Sequence, residues 1–153
     1  MKKKWVWISL LLVLAIVVGL SVWLVPALLR PSLLSYFELD GLTADNIESV
    51  SFYVVYDRGM RWDSSEPAVL EEVCGMLDRA HVAGEYPPFA GPTISITLNF
   101  YERFNGKDTV QIVLGSESVF GGIQDGVEQN YRLTDYYTRE EWTALFAKCE
   151  RIY

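Results

Sequence analysis

The chain has 153 residues, half of them apolar, with 13 Lys and Arg against 20 Asp and Glu for a net charge of −7. Frequent aromatic and β-branched residues exclude a disordered chain, and two cysteines are too few for a disulfide-dense scaffold. Lys2, Lys3, Lys4 and Arg30 give the first thirty residues a charge of +4, which leaves the other 123 at −11 and excludes a nucleic-acid partner, whose phosphates need clustered Lys and Arg.

Trp5 to Leu29 is a run of 25 residues without a charge. A helix crosses the bilayer core with roughly 20 apolar residues, so the run is long enough to span it with some tilt. Trp5 and Trp7 at one end and Trp23 near the other read as interfacial aromatic belts. Lys2–Lys4 flank the N-terminal side, and the positive-inside rule then puts the N-terminus in the cytoplasm and the rest of the chain outside. The expected localisation is the cell membrane, as a single-pass anchor over residues 1–30 that contacts lipid through residues 5–29. The competing reading is a secretory signal cleaved near Ala27, after the small residues of Val25-Pro26-Ala27. Its apolar region would exceed the roughly 7–15 residues usual in signal peptides.

Residues 31–41 form the juxtamembrane segment. Eleven residues reach at most roughly 36–40 Å when extended, which keeps the following domain near the membrane. Leu33, Leu34, Tyr36, Phe37 and Leu39 make the segment more apolar than a flexible linker.

Residues 42–153 read as one extracytoplasmic α+β domain. Val50 to Tyr56 alternates in the period of a strand, Asp57-Arg58-Gly59 is a turn signal, and Met60-Arg61-Trp62 is a short return strand. Ser64, Ser65 and Pro67 mark a helix start. Val69, Val73, Leu77 and Ala80 give that helix one apolar stripe, and it is expected to end before Gly84. Tyr86 to Pro92 reads as a stiff loop. Thr93 to Arg103 is the clearest strand, with Ile94, Ile96, Leu98 and Phe100 on one face. Asn105-Gly106 is a hairpin signal, since both positions tolerate positive φ, and Thr109 to Leu114 is the partner strand. Val119-Phe120 and Tyr131-Arg132-Leu133 are two further short strands. Thr138 with Glu141 is a capping box opening a last helix, whose buried face runs through Trp142, Leu145, Phe146, Cys149 and Ile152. The expectation is a two-layer domain, with an antiparallel sheet of four to six strands and two helices on one face.

Residues with chemistry are few. Cys74 and Cys149 sit on the apolar stripes of different helices. They are a disulfide candidate if the helices pack side by side, and otherwise two buried thiols. His81, the single histidine, reads as a residue ending the first helix. Glu71-Glu72 and Glu140-Glu141 read as solvated helix charges. Gly121 to Gly126 resembles half of a calcium-binding repeat in a single copy, and a plain glycine-rich turn explains it as well. No metal set, cofactor loop or nucleophile motif is present, so neither catalysis nor a cofactor is expected.

If the helices cover the Ile94 face, the opposite face carries Tyr53, Val55, Ser95, Thr97, Asn99, Tyr101, Gln111 and Val113. An uncharged, tyrosine-bearing patch on an acidic domain has the composition of an interface core, although one face of an antiparallel sheet is commonly just solvated. Tyr53, Asn99, Tyr101 and Gln111 are the candidate binding residues, with an envelope or membrane protein as the expected partner. A small-ligand sensor with a pocket beside Pro87–Pro92 is the alternative. The Asn105-Gly106 turn, the Tyr131 strand and the Thr138–Tyr153 helix behind a membrane segment resemble small membrane-anchored or lipoprotein-type extracytoplasmic α+β domains of Gram-positive bacteria. That resemblance is one of architecture and implies no particular functional residue.

Overall fold

The computed structural model describes residues 12–21, 30–55, 59–87, 93–115, 119–124 and 127–152. The chain divides into two compact units, Met1–Arg30 and Pro31–Tyr153. In the first, residues 12–21 are helical. Leu12, Val13, Leu14, Ile16, Val17, Val18 and Leu20 are each more than half exposed there. No helix among the described residues is long and apolar enough to cross a membrane, and most of the expected 5–29 span lies outside the described residues.

The second unit is a mixed α+β domain built on an antiparallel sheet. Its strands are β1 (Ile47–Val55), β2 (Met60–Ser64), β3 (His81–Tyr86), β4 (Thr93–Phe104), β5 (Lys107–Gly115), β6 (Val119–Gln124), β7 (Val127–Thr134) and β8 (Glu150–Arg151), in the spatial order β3-β7-β6-β5-β4-β1-β2-β8. Helices α1 (Leu33–Tyr36), α2 (Pro67–Arg79) and α3 (Arg139–Phe146) complete it.

Eight strands exceed the four to six expected, and the additions are β3 and β8. Helix α2 stops at Arg79 because Ala80 turns to extended backbone, with ψ at 122°. His81 therefore opens a strand instead of ending a helix. β3 pairs with β7, and its register slips between Val82 and Gly84, where Gly84 has φ at 144°. At the other end α3 closes after Phe146. The chain turns and pairs Glu150 and Arg151 with β2, which leaves Ile152 exposed instead of on the buried helical face. The stretch compared with a calcium repeat puts Gly121 and Gly122 within β6, and residues 125–126 lie outside the described residues.

Period-two alternation decides which side of the sheet is dry. Val50, Phe52 and Val54 of β1, Ile96, Leu98 and Phe100 of β4, and Val110, Ile112 and Leu114 of β5 are all buried. All of these but Val54 share one core with Val69, Leu70, Val73, Met76 and Leu77 of α2 and with Trp142 and Leu145 of α3. Fully burying one such aliphatic side chain is worth about 1.5–3 kcal/mol. The two helices are also tied to each other at the surface. Arg79 reaches Glu141 at 3.0 Å and lies 4.6 Å from the centre of the Tyr137 ring. The Tyr137 hydroxyl donates to the Glu72 carbonyl at 3.3 Å.

Residues 31–41, the juxtamembrane segment whose apolar side chains could pack on the domain or lie at the membrane interface, are folded into the domain. Leu33, Leu34 and Leu39 are buried. Ser32 bridges to His81, and the Leu33 amide donates to the Ala80 carbonyl at 2.8 Å. The tip of the β4–β5 hairpin then clasps the turn after α1. Asn105 Nδ2 donates to the Glu38 carbonyl at 2.7 Å, and Lys107 Nζ pairs with the Glu38 carboxylate at 3.0 Å. Asn105 and Gly106 adopt φ of 49° and 82°, the left-handed pair that a two-residue hairpin demands.

Candidate functional site

The face of the sheet opposite the core is a shallow trough of about 540 Å³. The register of four strands builds it row by row. Arg61, Tyr53, Ser95 and Val113 form one row across β2, β1, β4 and β5, and Asp63, Ser51, Thr97 and Gln111 form the next. Ser49, Asn99 and Thr109 form a third across β1, β4 and β5. The centre holds short hydroxyl side chains, and that lack of bulk makes the surface concave. The longer Arg61 and Gln111 stand on the flanking strands β2 and β5, with Tyr53 on β1 between them.

The polar side chains are tied to one another. Gln111 Nε2 donates to Ser95 Oγ at 2.8 Å, and Asn99 Nδ2 donates to Ser49 Oγ at 3.0 Å. Ser95 is the buried polar residue of the described set, at 9% exposure. Such bonds net about 0.5–1.5 kcal/mol each, enough to hold the amides in one orientation and little enough to be exchanged for a partner's groups.

The trough is electrically quiet despite the acidity of the domain. Its cation, Arg61, bonds Asp63 at 2.8 Å and reaches Ser51 Oγ at 3.4 Å. The Arg61 hydrogen bond holds the Asp63 carboxyl below its ordinary range, against a smaller opposing effect of burial. A second depression of about 220 Å³ continues the trough past Ser51 and Asn99 towards Ser64 and Glu150.

Tyr53, Asn99 and Gln111 are thus brought together, as the sequence expects. Tyr101 is not part of the trough lining. It stands 66% exposed on the arm of β4, where the β4–β5 register is interrupted between Asn99 and Phe104. Sequence reading missed Arg61, because a short return strand gave no sign of which β1 residues its side chains would oppose, and it passed over Ser51, which alternation puts on the same face as Tyr53. Tyr53 has a further constraint. Gly59, with φ at 57°, packs so closely under the Tyr53 ring that a Cβ there would collide with the hydroxyl.

The other singled-out residues lie elsewhere. Cys74 and Cys149 are free, half-buried thiols, so the candidate disulfide is not formed. Burial first, then the neighbouring Glu71, pushes Cys74 up to about 11. Burial, with Glu72 and Asp63, does the same to Cys149. Neither is an activated nucleophile, which needs a lowered pKa. His81 Nδ1 lies 2.7 Å from the Arg79 carbonyl. Among the described residues no group of three or more His, Cys, Asp and Glu side chains has the arrangement to hold a metal ion. The pocket expected beside Pro87–Pro92 falls largely on residues 88–92, outside the described residues.

No protein-family model, curated protein or solved structure matches the chain.

Proposed function

We propose that this protein is a membrane-anchored extracytoplasmic binding module that engages a component of the cell envelope through the open face of its sheet. The observation that carries the reading is the trough itself: a concave surface of hydroxyl, amide and tyrosine side chains on a domain of strongly negative charge. Depletion of net charge with retention of hydrogen-bonding groups suits a surface that is desolvated on contact. Residues 5–29 supply the anchor. Their uninterrupted apolar character and the Lys2–Lys4 flank support insertion with the N-terminus inside. Seven exposed apolar side chains along residues 12–20 need a non-aqueous surrounding, because contiguous apolar surface of that kind is rarely left in water.

The function is binding and not turnover in this reading. The thiols are deactivated by burial, and the trough pairs its one cation with an adjacent carboxylate.

A photocrosslinking amino acid placed at position 111 of the full chain, in its native membrane, tests the reading. One recurrent adduct from Gln111, absent when the same group replaces exposed Glu71 on α2, supports it. Equal adducts from both positions, or none from position 111, overturns it.

A further inference from the structure

On the helix side of the sheet, away from the trough, lies a second concavity of about 650 Å³, within the roughly 300–1,000 Å³ typical of small-ligand sites. Val54 and Ile94 contribute from the sheet, and its aromatic lining comes from β2, α3 and the segment before it. Trp62 stacks on Phe146 at 4.6 Å between ring centres with an interplanar angle of 9°. Phe146 in turn lies 5.5 Å from Trp142, and Tyr137 stands edge-on to Trp142 at 5.5 Å. The result is a flat-walled apolar slot, suited to a planar ring system that offers offset or edge contacts.

Two donors at this slot have no protein partner among the described residues. Trp142 is buried to 6% exposure, yet its indole Nε1 makes no hydrogen bond. Buried tryptophan N–H groups ordinarily find an acceptor, and an orphaned one is costly. Arg139, which also lines the slot, makes no salt bridge among the described residues. Among the described residues the Arg139 guanidinium is therefore open to an anion that enters the slot. Arg139 and Trp142 are three residues apart on α3, so they emerge on the same side of the helix.

We propose that this slot is a binding site for a small aromatic carboxylate. The ring system lies against Trp62, Phe146 and Trp142, and the carboxylate takes the Arg139 guanidinium as its donor. The slot and the trough lie on opposite sides of the sheet, so this site stands or falls independently of the trough.

The test uses the full chain in lipid nanodiscs, with tryptophan labelled at the indole nitrogen. The five indole resonances are assigned with Phe substitutions at Trp5, Trp7, Trp23 and Trp62, which leaves Trp142 by exclusion. Naphthalene-2-carboxylate is the probe and naphthalene-2-methanol the neutral control. The expected result is a saturable shift of the Trp142 N–H with the carboxylate, from the ring that binds against it. The alcohol and the Arg139→Gln variant should each bind about tenfold or more weakly, the loss of one charge-assisted bond. Arg139 is exposed, so that variant keeps the fold. A Trp142 signal that does not move, equal affinity for acid and alcohol, or carboxylate affinity unchanged in Arg139→Gln overturns the proposal.

Discussion

Gln111 donates its side-chain amide to Ser95 Oγ at 2.8 Å, although the direct neighbour of Gln111 across the β4–β5 pair is Thr97 and that of Ser95 is Val113. The bond is diagonal. It draws the Gln111 side chain along the sheet over the small side chains of β4 and fixes the floor of the trough. Gln111→Ala removes the donor and leaves Ser95, 9% exposed, with one partner fewer. The expected cost is about 1–2 kcal/mol, readable as a fall in thermal midpoint. Gln111→Glu keeps the length and loses the donor, and it is expected to cost at least as much.

Gly59→Ala is expected to disturb the trough more than its size suggests. The residue has φ at 57°, and an added Cβ meets the Tyr53 hydroxyl. The backbone strain alone is about 1 kcal/mol, and the Tyr53 ring must also move. Tyr53→Phe removes the colliding oxygen, so the double variant should recover part of the loss. Equal stability of the single and double variants would show that the ring yields freely.

Phe52 is fully buried and touches both Trp142 and Phe146, at 6.2 and 5.4 Å between ring centres. Phe52→Ala should destabilise the domain by about 3–5 kcal/mol. Chemical denaturation of the full chain would read this as a lower midpoint with an unchanged slope.

Acid should weaken the start of α3. The Thr138 backbone N–H, followed by Arg79, holds the Glu141 carboxyl below its ordinary range. A folded-state pKa below the unfolded one contributes stability that is complete above the unfolded value and is lost as pH falls through the folded one. The loss therefore belongs below about pH 4.3, the ordinary glutamate value. Glu141→Gln should flatten the pH dependence of stability in that window, by lowering stability at neutral pH and leaving the strongly acidic value close to wild type. Thr138→Ala, which breaks the same capping box, should cost about 1 kcal/mol at every pH.

The two thiols should be silent until the domain unfolds. Both are pushed up to about 11 by burial, so little thiolate is present near neutrality. A thiol reagent at pH 8 should react with neither in the native chain and with both in denaturant. Fast native reaction at either position would contradict the burial described.

The alternation in β1, β4 and β5 made the trough legible from the sequence. Once Ile96, Leu98 and Ile112 are assigned to the core, period two puts Thr97, Asn99 and Gln111 on the other face. The capping box at Thr138 and the Asn105-Gly106 turn were legible for the same reason: each is a local signal with its partner two or three residues away. β3 was not, because His81 to Tyr86 has no alternation and gains its strand character from pairing with β7, some fifty residues on. β8 is two residues long and exists only against β2. Tyr101 is exposed as alternation expects, but alternation assigns a face and not where the register ends, and Tyr101 lies outside the trough lining. The aromatic slot is assembled from separate stretches of chain, and no local pattern marks Trp142 and Arg139 as unpartnered.

The measurement that bears most directly on the account replaces Thr97, the middle of the second row of the trough, with arginine. The full chain, wild type and Thr97→Arg, is crosslinked in its native membrane, and the partner trapped from position 111 is quantified. The adduct should be lost while stability stays within the small range usual for surface substitutions, about ±0.5 kcal/mol. An adduct retained at full yield in a folded Thr97→Arg chain would contradict the assignment of the open sheet face as the binding surface.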